Sequence, residues 1–221
     1  MSVAEALASV QSRIAAAEAR AGRPAGSVSL VAVSKLQPAV KIREAWAAGQ
    51  RLFGENYAQE LRDKAQELSD LAGLRFHFIG TLQRNKAKVV VPAASMFEAL
   101  DDLDLARELD KRARSLGRRL PVLLEVNLGE EQKGGVHPDE LGAFLEALRP
   151  LDAVSAEGLM CIPPPADSPE ETRPHFRRVA ALAREHGLRT LSMGMTADFE
   201  VAIEEGATIV RVGTAIFGAR P

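Results

Sequence analysis

The sequence predicts an α/β fold, a single (β/α)8 TIM barrel with an extra N-terminal helix. Eight short apolar runs alternate with segments whose apolar residues recur every three or four positions. Gly49, Gly117, Gly187 and Gly206 each close such a segment just before the next run, where a left-handed cap is needed. The length of 221 residues falls in the lower size range of an eight-unit barrel. With 46% hydrophobic residues the chain can bury one sizeable core, so residues 1–221 are read as one domain. An open doubly wound sheet is the alternative, but the G-x-G-x-x-G fingerprint that would favour it is absent.

The leading segment, 3–21, has helical spacing. The strand runs are SLVAVS (29–34), RLFGEN (51–56), FHFIG (76–80), SMFEAL (95–100), PVLLEVN (121–127), SAEGLMCI (155–162), TLSMGM (190–195) and TIVRVGTAIFG (208–218), most marked by β-branched or aromatic residues. Between them lie the helical segments PAVKIREAWAAG, YAQELRDKAQELSDLAG, LQRNKAKVV, DLDLARELDKRARSLG, HPDELGAFLEALRP, SPEETRPHFRRVAALAREHG and DFEVAIEEGA. Pro38, Pro138 and Pro169 stand near helix starts, where a missing N–H costs least. The proline-rich CIPPPADSP (161–169) reads as a loop over the barrel mouth.

A formal net charge of -2 argues against a nucleic-acid binder. The basic stretches QRNKAK (83–88) and KRARSLGRR (111–119) read as solvated helix faces. Cys161 stands alone, which excludes an internal disulfide and any multi-cysteine metal site, and it reads as buried packing. His137, His175 and His186 lack ligand spacing, so no metal is expected. No secretory h-region and no run of 18 apolar residues is found, so a cytoplasmic protein with no membrane association is expected.

In a barrel the chemistry sits at the C-terminal strand ends. Lys35 ends the first strand there. An apolar barrel mouth lowers a lysine pKa and favours attack on a carbonyl, although a strand-end lysine snorkelling to water is the plainer reading. SMGMT (192–196) and RVGTAIFG (211–218) offer hydroxyls, glycines and backbone N–H groups suited to phosphate. Lys35 with both loops fits a phosphorylated carbonyl compound held at both ends, such as pyridoxal 5'-phosphate (PLP) or a sugar phosphate. Arg211, inside the last strand, needs an acceptor; it pairs with a core carboxylate such as Glu55 or Glu125, or faces a cofactor ring nitrogen. His77 alternates with apolar residues in its strand and reads equally well as a core histidine.

LVAVSK, FGENYAQEL, FHFIGTLQRNK, GLMCIPP and LSMGMTADFEVAIEEGATIVRVGTAIFGAR closely resemble the pyridoxal phosphate homeostasis protein family, nearly over the whole chain. Thr81 and Thr196 stand where many relatives have proline and serine; Thr196 keeps the hydroxyl. The resemblance implies a PLP-binding barrel like that of alanine racemase without its second domain. It implies that Lys35 forms the Schiff base and that Ser192, Gly213 and Thr214 hold the phosphate, with backbone contacts from Met193 and Gly194. Arg211 would face the ring nitrogen, and Asn56 with the strand end His77–Gly80 would line the pocket.

A racemase needs two acid/base groups on opposite faces of the substrate carbon. The resemblance assigns the second, a tyrosine, to the missing domain, and Tyr57, the one tyrosine here, has no evident opposite-face role. An arginine at the ring nitrogen also weakens the electron sink. A non-enzymatic vitamin B6 homeostasis protein is therefore expected, with no catalytic residues, PLP-dependent apoenzymes as candidate recipients, and a monomeric state. The alternatives are a small PLP-dependent racemase or eliminase and a cofactor-free Schiff-base aldolase acting on sugar phosphates.

Overall fold

The computed structural model describes residues 1–129 and 134–219, and eight parallel strands close there into a barrel in consecutive order. Residues 130–133 and 220–221 lie outside the described residues, among them the Arg220 of the quoted C-terminal motif and the last two residues of the expected domain 1–221. The strands are β1 (Ser29–Val33), β2 (Leu52–Glu55), β3 (Arg75–Phe78), β4 (Ala94–Leu100), β5 (Leu120–Glu125), β6 (Val154–Met160), β7 (Thr190–Ser192) and β8 (Ile209–Val212). The helices are α1 (Val3–Arg20), α2 (Ala39–Ala47), α3 (Ala58–Glu67), α4 (Ala87–Ala93), α5 (Leu103–Ser115), α6 (Leu141–Leu148), α7 (Arg173–Glu185), α8 (Phe199–Glu204) and α9 (Thr214–Phe217).

Helix α1 starts in a capping box: Glu5 N–H donates to the Ser2 hydroxyl, and Ser2 N–H donates to the Glu5 carboxylate. Val3, Ala6, Leu7, Val10, Ile14 and Ala17 fall on one stripe and are buried against the barrel's helical layer, chiefly α8 and α9. At its far end the buried Glu18 accepts from Gly26 N–H, the Ser27 hydroxyl and Val28 N–H, fixing the chain's entry into β1. The four closing glycines are left-handed as expected, with φ of 99° at Gly49 and 61° at Gly117.

Most strand limits differ from the expected ones by one or two residues. The last two differ more. The expected strand 208–218 stops at Val212, after which Thr214–Phe217 coil into a single helical turn. The expected strand 190–195 stops at Ser192. Gly194 turns left-handed (φ 92°), and a β-carbon there would come within 2.5 Å of the Ala202 side chain. Both departures bend the chain across the barrel mouth.

Period-two alternation sorts β3 and β4. Phe76, Phe78 and Phe97 point outward into the helical layer, with the Phe78 and Phe97 rings 5.9 Å apart. His77 and Glu98 occupy the opposite face, inside the barrel. The basic stretches are tied up on the surface: Arg84 pairs with Asp104, Arg112 with Glu108 and Arg114 with Asp110.

Candidate functional site

The C-terminal strand ends line a cavity of about 150 Å³ that opens to solvent. Its wall takes Val33, Lys35 and Gln37 from the exit of β1, Asn56 from β2, Ile79 from β3 and Ile162 from β6. Met195 and Thr196 follow β7; Arg211, Gly213, Thr214, Phe217 and Gly218 complete it from β8 and α9. Ile162 opens the proline-rich loop, whose prolines line an adjoining groove with Met195, Ala197 and Asp198.

Five expected residues meet at this wall: Lys35, Asn56, Arg211, Gly213 and Thr214. Gly213 permits the meeting. A β-carbon on it would lie 3.1 Å from the Val33 carbonyl oxygen, so its absence lets β8 leave close beside β1. Lys41 then ties the last turn of α9 to α2, donating to the Phe217 carbonyl at 2.6 Å and to the Gln37 side chain at 2.8 Å.

The other five lie behind the wall. Gly80 is a close-approach glycine, since a β-carbon would meet the Asn56 carbonyl at 2.4 Å. Met193 is fully buried, and Gly194 lends its carbonyl to Arg211 N–H. Ser192 is expected at the phosphate, but its hydroxyl donates to Glu98 Oε2 (2.5 Å) and accepts from Arg211 Nη1 (2.6 Å). The hydroxyl that this loop presents to the cavity is Thr196. Gly194 sets the turn that brings Thr196 round, so the glycine two residues earlier was the signal available in the sequence.

Arg211 faces a core carboxylate, as expected, though not one of those named in advance. Glu55 pairs with Lys64 instead, while the carboxylate facing Arg211 is Glu98, 4.0 Å away on β4. Arg211 donates further to the carbonyls of Ser192 (2.8 Å) and Cys161 (2.9 Å). His77 Nδ1–H donates to the other Glu98 oxygen at 2.5 Å. Burial would raise the Glu98 carboxyl, but the bond from His77, the Arg211 guanidinium and the Ser192 hydroxyl outweigh it and hold the group below the ordinary carboxylate range. This buried chain fixes the guanidinium at the cavity floor. Burial pushes the Cys161 thiol up to about 12, which leaves it protonated and unreactive.

A second buried network underlies Lys35. The Lys64 ammonium donates to the Ser34 carbonyl (2.7 Å), Glu55 Oε1 (2.8 Å) and Glu60 Oε2 (2.8 Å). The Ser34 hydroxyl donates to the same Glu55 oxygen at 2.6 Å, and Leu36 N–H donates to Glu60 at 2.9 Å. Leu36 is left-handed (φ 59°), which costs a non-glycine residue about 1–2 kcal/mol. Lys64 and Glu60 both lie on α3, and nothing in the local sequence of that helix marks them as facing the exit of β1.

The chain matches the alanine racemase N-terminal domain family over residues 6–221. A curated relative, the pyridoxal phosphate homeostasis protein of Aquifex aeolicus, is 45% identical over 100% of this chain and 99% of its own. The protein of the same name from Pseudomonas aeruginosa is 44% identical over 99% of this chain and 96% of its own. Among solved structures, PipY of Synechococcus elongatus with PLP bound superposes with a TM-score of 0.85 at 42% identity, covering 98% of this chain and all of that one. An alanine racemase of Clostridium difficile shares the fold alone, at 15% identity and a TM-score of 0.68, with 53% of its chain covered. Full-length relatives at this identity and a barrel shared with the racemases lead to one assignment: this protein belongs to the pyridoxal phosphate homeostasis protein family, on the fold of the alanine racemase N-terminal domain.

Proposed function

We propose that this protein binds pyridoxal 5'-phosphate in the barrel-mouth cavity and serves vitamin B6 homeostasis, acting as one domain over residues 1–221 in the cytoplasm. The observation that carries the reading is the meeting of Lys35, Arg211 and the Gly213–Thr214 turn at one cavity. When bound, this cofactor supplies an aldehyde that condenses with a primary amine with loss of water.

The donor set fits such a molecule. Lys35 offers the amine; the Thr196 and Thr214 hydroxyls and the backbone at Gly213–Thr214 offer hydrogen bonds to an anionic phosphate. Asn56 Oδ1 is buried without a hydrogen-bond partner, a loss of about 1–3 kcal/mol that a donor on a bound ligand offsets. Ser192, Met193, Gly194, His77 and Gly80 support the wall from behind.

A holding role is favoured over catalysis. Among the described wall residues, Lys35 and Arg211 are the ionisable ones, and Tyr57 stands half exposed outside the wall. A guanidinium stays charged in proteins and cannot hand a proton to a ring nitrogen. That weakens the electron sink on which amino-acid racemisation or elimination draws. The protein acts as a monomer that retains the cofactor or passes it to apoenzymes. No helix among the described residues is long and apolar enough to cross a membrane.

Borohydride reduction of the protein loaded with pyridoxal phosphate, followed by peptide mass spectrometry, tests the reading. A pyridoxyl adduct on Lys35 that disappears in Lys35→Ala is the expected result; unchanged labelling in the variant refutes it. Lys35-dependent exchange of solvent deuterium into the α-carbon of amino acids would overturn the non-catalytic part.

A further inference from the structure

We propose that Lys64 is a positioning residue for Lys35, clamping the peptide groups on both sides of it through one buried ammonium. The proposal rests on the reading that Lys35 anchors the cofactor. Lys64 is not among the residues that line the cavity. Its three N–H donors are all used: one on the Ser34 carbonyl directly before Lys35, one on Glu55, one on Glu60. Glu60 in turn accepts from Leu36 N–H, directly after Lys35. Both flanks of the lysine therefore converge on a single side chain that is 9% exposed.

The clamp opposes a specific relaxation. Leu36 holds a left-handed backbone that a leucine leaves readily unless it is restrained. Its N–H bond to Glu60 is one restraint. The bond from Gln37 N–H to the Ser34 carbonyl, at 3.0 Å, closes the turn on the same oxygen that Lys64 holds. Without the ammonium, Glu55 and Glu60 lose their shared counter-ion, and the Ser34 carbonyl loses its charged donor. The turn is then free to open, and the backbone from which the Lys35 side chain leaves the strand loses two of its restraints.

The test compares Lys64→Met with the parent protein in two stages. In the cofactor-free protein, amide hydrogen exchange at Leu36 and the rate of Lys35 acetylation by acetic anhydride, read by mass spectrometry, report the clamp without any cofactor. At least tenfold faster Leu36 exchange and an altered Lys35 labelling rate are expected. Titration with pyridoxal phosphate, followed by absorbance, should then show at least tenfold weaker binding and a shifted pH midpoint for the bound band. Should Lys64→Met fail to fold, Glu60→Leu, at a part-exposed position, removes the Leu36 arm and one of the three Lys64 acceptors while leaving the Ser34 arm in place, and should move the same readouts in the same direction. Unchanged exchange and labelling in a folded variant overturn the clamp. A parent protein that shows the clamp effect yet takes no pyridoxal phosphate on Lys35 overturns the functional reading and leaves the clamp standing.

Discussion

The Glu98 carboxylate and the Arg211 guanidinium stand 4.0 Å apart inside the barrel, with the Ser192 hydroxyl bonded to both. They belong to β4 and β8, which lie opposite each other in the eight-strand ring. One charged pair thus spans the interior beneath the cavity, and each member is almost entirely buried. The arginine can be held at the floor because its charge is answered from the far wall.

Removing that answer should be expensive. In Glu98→Leu the buried guanidinium loses its facing carboxylate, and Ser192 and His77 lose their acceptor, a combined loss of about 3–5 kcal/mol. Urea denaturation should show a much lower midpoint with an unchanged slope. A midpoint equal to the parent's would mean that Glu98 is not the counter-ion of Arg211.

Gly158 on β6 offers a sharper steric prediction. A β-carbon there would sit 1.8 Å from the Thr190 carbonyl oxygen of β7, backbone against backbone. No side-chain movement relieves such a contact, so Gly158→Ala must part β6 from β7 where β7 begins, at Thr190. Loss of more than about 3 kcal/mol, or failure to fold, is expected by comparison with other overpacked interiors. A Tm within a degree of the parent's would show that the two strands separate more easily than their pairing implies.

The barrel was legible because each β/α unit carries its own local signals. Apolar runs of strand length, helical spacing between them, and glycines such as Gly49 and Gly206 at the helix ends all agree, and local agreement of this kind survives folding. The cavity wall was legible where chemistry and position coincide, at Lys35, Asn56 and Thr214. What could not be read were contacts that the closed ring creates. Glu98 lies more than a hundred residues from Arg211 in the chain, and nothing in SMFEAL distinguishes an inward glutamate from an edge one. Ser192 and Thr196 are four residues apart with similar hydroxyls; only the left-handed bend at Gly194 decides which one faces the cavity. Lys64 looked like any surface lysine on a helix until the β1 exit was laid against it.

The backbone at Leu36 makes an ordered prediction for three residues at one site. Glycine accepts φ 59° freely, leucine tolerates it at about 1–2 kcal/mol, and a β-branched side chain fits it worst. Leu36→Gly should therefore be more stable than Leu36→Val by about 2 kcal/mol in thermal or urea unfolding, with the parent between them. Valine matching glycine would mean that the turn relaxes out of the left-handed region at little cost.

The pH dependence of stability should carry the signature of Glu55. Burial pushes its carboxyl up to about 7, against the pull of the Lys64 ammonium and the Ser34 hydroxyl, while Glu60 on the same helix adds a smaller upward push. Below the ordinary value of 4.5 the group is protonated in both folded and unfolded chains. Between 4.5 and about 7 the folded chain keeps a proton that the unfolded chain has released, so stability falls as pH rises through this window and levels off above it. Carboxyls held below the ordinary range, including Glu98, Glu60, Glu204 and Glu205, act in the opposite sense and further down: their stabilisation is present above 4.5 and is lost as pH falls. Burial also raises Asp198, which adds a decline starting from 3.8, and the Glu55→Gln variant separates the two. The parent's Tm should drop between pH 5 and 7.5, and the drop should shrink in Glu55→Gln, which cannot take up or release the proton. A parent whose Tm rises across that interval, or a variant with the parent's slope, would show that Glu55 is ionised throughout and that its bond to Lys64 outweighs its burial.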